Sequence, residues 1–90
     1  MVYKWDHHKN AWLKDNRGVL FEEIMGCVAA RKILDIIEHP NQQKYGHQRI
    51  MVVELKGYVF HVPYVQMQDG YFLKTIIPSR KSTRKYLGEY

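Results

Sequence analysis

Two histidines, an arginine and a tyrosine stand out because together they could move protons and hold a phosphate. His47 and Tyr45 lie in the polar stretch HPNQQKYGHQ, His61 lies in the apolar run that follows, and Arg80 heads a basic tail. Cutting RNA without a metal needs a base for the ribose 2′-OH and an acid for the departing 5′ oxygen. It also needs a cation for the charge that builds on the phosphate. Imidazole suits the first two roles because its ordinary pKa lies near 6.5. A guanidinium suits the third because its planar fork grips phosphate oxygens in pairs. His61, His47, Arg80 and Tyr45 are therefore the candidate catalytic residues, and Lys44, Lys74, Lys81, Arg84 and Lys85 the candidate RNA-binding ones. Tyr45, Tyr64 and Tyr71 could stack on bases. Each residue also has a plain alternative: a solvated loop for His39 and His47, a half-exposed strand histidine for His61, a solvated helix face for the basic tail, and core or edge packing for the tyrosines.

The charge distribution points the same way. The 90-residue chain carries a net charge of +5. Residues 1–45 hold seven Lys/Arg against six Asp/Glu, whereas residues 46–90 hold seven against three. From Lys74 to Lys85 there are five basic side chains and no acid. Such a surface attracts a polyanion, a nucleic acid first and an acidic protein second. The length suits one domain spanning residues 1–90. The lone Cys27 excludes an internal disulfide and suits a reducing cytoplasm; it reads as a small buried helix residue. His7, His8, Cys27, His39 and His47 have no recognised metal-ligand spacing, and the isolated Gly18 and Gly26 make no phosphate loop. No metal or cofactor is expected. No apolar run reaches the roughly 20 residues that span a bilayer, and Trp5-Asp6-His7-His8 interrupts any secretory leader. A cytoplasmic protein away from membranes is the expectation.

Positioning these groups falls to a short list of elements. Residues 2–5 alternate as a first strand, and Asp6 can cap a helix over residues 7–16. Gly18 supplies the left-handed residue that ends it. A second helix follows over residues 21–32, with Ile24 and Val28 on one side and Glu22 and Glu23 in its first turn. Strands are expected over residues 33–37, 49–56, 58–65 and 71–77. Lys56-Gly57 and Asp69-Gly70 form the two tight turns, and Pro78 stops the pairing. The tail from Ser79 carries at most one short helix starting near Ser82. The fold class is α+β, with two N-terminal helices on one face of an antiparallel meander.

Two-residue turns set the register. Leu55 faces Tyr58, Val53 faces Phe60 and Met51 faces Val62; beyond the second turn, Tyr64 faces Thr75, Val62 faces Ile77 and His61 faces Pro78. Alternation then puts Met51, Val53, Leu55, Tyr58, Phe60, Val62, Leu73 and Ile77 on the core face. The opposite face carries Gln48, Glu54, His61, Lys74 and Arg80 among Ile50, Val52 and Ile76, and is expected to stay open to solvent or a ligand.

The two ends of the chain resemble the BrnT-type toxins. A strand ends in Trp5-Asp6, Lys9 and Asn10 follow on a helix, then come Arg17-Gly18-Val19 and Phe21-Glu22-Glu23. The close, Ile76-Ile77-Pro78-Ser79-Arg80-Lys81-Ser82-Thr83-Arg84, is similar to that family's terminal motif, which runs through Ser-Ala-Arg. Arg17 stands where the family usually has His, and the stretch over residues 39–48 differs from its usual centre. The resemblance implies a RelE-like fold, an RNA-cleaving toxin of a bacterial toxin–antitoxin module, and a DNA-binding antitoxin as partner. The rival readings are a non-catalytic module that holds nucleic acid or protein on the same basic face, and a structural domain, alone or as a homodimer, whose basic tail docks an acidic partner.

Overall fold

Aspartate, glycine and serine at a few junctions decide where the elements begin and end. The computed structural model describes residues 2–88. The elements are β1 (Val2–Lys4), α1 (His7–Arg17), α2 (Phe21–Ala29), β2 (Ile33–Glu38), α3 (Gln42–Tyr45), β3 (Gln48–Leu55), β4 (Tyr58–Met67), β5 (Gly70–Leu73), β6 (Ile77–Pro78) and α4 (Arg80–Leu87). Asp6 caps α1 by accepting from the backbone N–H of His8 at 2.7 Å and of Lys9 at 3.2 Å. Gly18 ends that helix at φ 67°, its N–H donating to the Lys14 carbonyl. The step into α2 is held by Asn10. Its Oδ1 accepts from Phe21 N–H at 2.8 Å while its Nδ2 donates to Glu22 at 2.7 Å. None of the described helices is long and apolar enough to cross a membrane.

The strand order is β1-β5-β4-β3-β2, with β6 pairing the start of β4. Most pairs are antiparallel, but β1 runs parallel to β5, so the sheet is mixed and the expected pure meander is corrected. That parallel pair needs Gly70, because a Cβ there would stand 1.8 Å from the Val2 carbonyl oxygen. The Lys56-Gly57 turn forms as expected, both residues at positive φ, and pairs Leu55 with Tyr58, Val53 with Phe60 and Met51 with Val62.

The second hairpin differs. Met67 pairs with Gly70, so the turn is Gln68-Asp69 and Tyr64 faces Leu73 rather than Thr75. A slip of two keeps side chains on their expected faces. The chain then leaves the ladder over residues 74–76 and rejoins it with Ile77 opposite His61 and Pro78 opposite Phe60. This break reverses the alternation: Ile76 is fully buried and Ile77 is 41% exposed. Ile76 therefore takes the core place expected for Ile77.

α1 and α2 cover one face of the sheet. Leu13, Phe21, Ile24 and Cys27 pack there with Met51, Val53, Phe60, Val62, Leu73 and Ile76. Each such side chain taken out of water contributes roughly 1.5–3 kcal/mol before entropy is counted. The other face is not open. α4 starts at Arg80, earlier than expected, and lies across it, reaching His61 on β4 through Ser82 and Asp35 on β2 through Tyr86. Ile50, Val52 and Val59 are buried on that side, and Gln48 nearly so. The apolar residues among its polar ones were the reason: Ile50, Val52 and Val59 need a cover, and a helix with Thr83, Tyr86 and Leu87 on one side supplies it.

Candidate nucleic-acid interface

Hydrogen bonds to the Val59 backbone and within its own first turn hold α4 to the sheet and aim its charges outward. Ser79 caps the helix, its Oγ accepting from Ser82 N–H at 3.1 Å. Its own N–H donates to the Val59 carbonyl at 2.9 Å. Thr83 Oγ1 donates to the Ser79 carbonyl at 2.7 Å and accepts from Val59 N–H at 2.9 Å. Thr83 is thus buried against the β4 edge, while Arg80, Lys81, Arg84 and Lys85 are exposed on the outer side around a shallow open hollow. Their spacing places them on one helix face. Among the described residues the ion pairs are Lys4–Asp69 and Lys56–Glu23, and neither involves α4. Lys85 packs its Nζ over the Tyr86 ring at 5.2 Å. The result is a cationic ridge without an acidic partner in the described part of the chain.

His61 sits beneath this ridge. Its Nε2 is 2.7 Å from Ser82 Oγ, and burial alone pushes its pKa below the usual histidine value. The imidazole is therefore neutral near pH 7. Because the folded chain resists a proton that the unfolded chain accepts near pH 6.5, stability is full above that pH and falls as the pH drops below it. A thermal melt series from pH 7.5 to pH 5.5 is expected to show a falling Tm. The fall should be shallower for His61→Gln, which keeps a polar group beside Ser82 but does not titrate.

The polar stretch before β3 divides in two. Its first part folds on itself: Asn41 caps α3 by accepting from Lys44 N–H, the His39 ring lies 4.5 Å from that of Tyr45, and Lys44 Nζ sits 5.2 Å from the Tyr45 ring. Its second part, His47, leads to a different place. It borders an open pocket of about 410 Å³ with Ile36, Arg49, Tyr64, Gln66 and Tyr71. By register these strand residues share the helix-side face, at the end that α1 and α2 leave uncovered: Arg49 faces Tyr64, Gln66 faces Tyr71, and Ile36 faces the core residue Met51. Tyr64 is 7% exposed, and burial pushes its phenol pKa up, with Arg49 pulling slightly the other way. Its hydroxyl remains a proton donor at neutral pH.

The expected catalytic set is therefore divided. Arg80 and His61 belong to the α4 side and His47 to the opposite face, while Tyr45 and Lys44 pack together on α3. Lys74 is exposed, with its Nζ 5.4 Å from the Phe72 ring. Tyr64 and Tyr71 prove to be both packing residues and pocket walls. Arg49 and Gln66 were missed. The signal was available, because the derived register puts Arg49 on the core face beside Met51, where a charge has no place unless the helices stop short of it.

Cys27 Sγ donates to the Glu54 carbonyl, and burial raises its pKa, which leaves an unreactive thiol. Among the described residues no cluster of three or more His, Cys, Asp or Glu side chains is arranged to hold a metal. No family model, curated protein or solved structure matches the chain.

Proposed function

We propose that this protein is a cytoplasmic RNA-cleaving toxin of a bacterial toxin–antitoxin module, which holds RNA on the α4 ridge and cuts it without a metal at the pocket beside His47. The observation that carries the reading is the meeting of an exposed imidazole, a guanidinium and a neutral phenol on an uncovered part of the sheet. In this reaction His47 takes the proton of the ribose 2′-OH, and that oxygen attacks the adjacent phosphorus. The bond to the 5′ oxygen breaks, and the departing oxygen takes a proton from the Tyr64 hydroxyl. The products are a 2′,3′-cyclic phosphate and a 5′-hydroxyl. Arg49 meets the charge on the phosphate oxygens, while Arg80, Lys81, Arg84 and Lys85, on the other face of the sheet, hold a more distant stretch of the strand as it passes round the edge. His61 serves by keeping α4 seated. The family-like ends of the sequence support the assignment, and with it an antitoxin partner.

The test is incubation of the purified chain with RNA in EDTA. Wild type is expected to cut. His47→Ala and Arg49→Ala are each expected to slow cutting by about 10²-fold or more, the scale of a lost acid–base or charge-stabilising group. Arg80→Ala should weaken binding more than turnover. Intact RNA with wild type, or undiminished cutting in both pocket variants, overturns the reading. A second reading, a module that binds RNA without cutting it, is favoured by one fact. His61 and His47 lie on opposite faces, so these two imidazoles do not form an acid–base pair. It predicts salt-sensitive binding with the RNA left whole.

A further inference from the structure

The pocket holds more than cleavage would use. Gln66, Tyr71 and Ile36 take no part in the proton transfers, yet they form about half of its lining. We propose that the pocket binds a single unpaired RNA nucleotide, its phosphate against Arg49 and His47 and its base against Tyr71 and Gln66. The inference deepens the ribonuclease reading and rests on it for the polymer, but the nucleotide site stands on its own geometry.

Size and rigidity come first. About 410 Å³ lies within the range of small-ligand pockets and admits one nucleotide, not a base pair. The walls are preset. The Tyr71 ring is held between Tyr64, 5.4 Å away and nearly perpendicular, and Tyr3, 5.4 Å away and tilted by 35°. A ring already fixed by its neighbours loses little freedom when a ligand lands on it.

Chemistry narrows the ligand. Arg49 is exposed and has no ion pair among the described residues, so its fork is free for phosphate oxygens. Gln66 is exposed directly across from Tyr71 and presents an amide donor and acceptor side by side, the complement of a base edge. Ile36, 49% exposed, adds an apolar rim. An acidic peptide would answer Arg49 but would offer no flat ring to the tyrosines and no paired edge to Gln66. A duplex would keep its base edges occupied. Glu38 faces Arg49 across the β2–β3 pair and is the acid that tempers this site.

The experiment is an amide chemical-shift titration of the full chain with the four nucleoside 3′-monophosphates, ribose 5-phosphate, inorganic phosphate and a glutamate-rich peptide, each alone. The expected result is saturable shifts at Arg49, Tyr64, Gln66 and Tyr71, with at least one nucleotide binding about tenfold tighter than ribose 5-phosphate, the scale of base stacking. Arg49→Gln should lose tenfold or more for every nucleotide. Gln66→Leu should change the ranking of the four bases, and Glu38→Gln should tighten all of them two- to threefold. Lys14→Gln, on the exposed side of α1, is the charge control and should match wild type. Pocket shifts with phosphate alone as strong as with any nucleotide, shifts with the peptide only, or no pocket shifts overturn the inference. Because no cleavage is read, a chain that takes nucleotides but leaves RNA intact in EDTA retains this site and loses the ribonuclease reading, and a cutting chain with a silent pocket does the reverse.

Discussion

Lys81→Gln/Arg84→Gln/Lys85→Gln is expected to bind single-stranded RNA about 100-fold more weakly than wild type at 0.1 M salt. Each phosphate contact to a single strand releases counterions worth a slope of about 0.7 in a plot of log affinity against log salt. Three lost contacts lower that slope by about 2, and a slope of 2 extended from 1 M to 0.1 M is a factor of about 100. The fold should not register the change. These side chains point away from the sheet, and the contacts that seat α4 come from Ser79, Ser82, Thr83 and Tyr86 instead. Affinity read across a salt series, with circular dichroism to confirm an intact fold, checks the prediction. An unchanged slope would mean that the RNA phosphates do not touch Lys81, Arg84 or Lys85.

The way α4 is held explains why its charge was legible in the sequence and its position was not. The run of cations from Arg80 to Lys85 is visible in the chain as written, and so is its helical spacing. What hides the placement is Ile50, Val52 and Val59. On an antiparallel sheet with one wet face, those positions would be polar. Their apolar character announced a second cover, but the polar neighbours Gln48, Glu54 and His61 suggested an open surface instead. The structure reconciles the two by roofing the middle of that face with a short helix that buries Thr83 and lays Tyr86 and Leu87 along the same side. His61 then changes from an exposed imidazole to a neutral partner of Ser82.

The sheet tells the same story at two turns. Lys56-Gly57 was readable because a two-residue turn with both residues at positive φ favours a glycine and tolerates few alternatives. Asp69-Gly70 has an equally good composition, yet Gly70 is needed elsewhere: the backbone of β1 comes so close that no side chain fits. A glycine demanded by a long-range parallel contact looks identical, in sequence, to one demanded by a turn. The caps at Asp6 and Gly18 involve only neighbours, and both came out as expected. The pocket lies between these cases. His47, Tyr64 and Tyr71 were each noticed, but their meeting depends on where α1 and α2 stop, which local patterns do not set.

Phe21→Ala is expected to destabilise the protein by about 3–5 kcal/mol, the usual cost of deleting a fully buried aromatic ring. Phe21 is fully buried and stacks on Trp5 at a centroid distance of 5.5 Å. It opens α2, and its N–H is the donor to Asn10 that joins the two helices. The ring therefore ties β1's exit, α1 and α2 to the same part of the core. Against a total stability of about 5–15 kcal/mol for a domain of this kind, such a loss takes a fifth or more of the whole. At roughly 4–8 °C per kcal/mol for small domains, Tm should fall by about 12–40 °C. Phe21→Leu, which keeps most of the volume and the N–H bond, should lose far less. Thermal and denaturant unfolding of the two variants measures the difference, and a fall of only a few degrees for Phe21→Ala would mean that the helices can collapse onto the sheet without this ring.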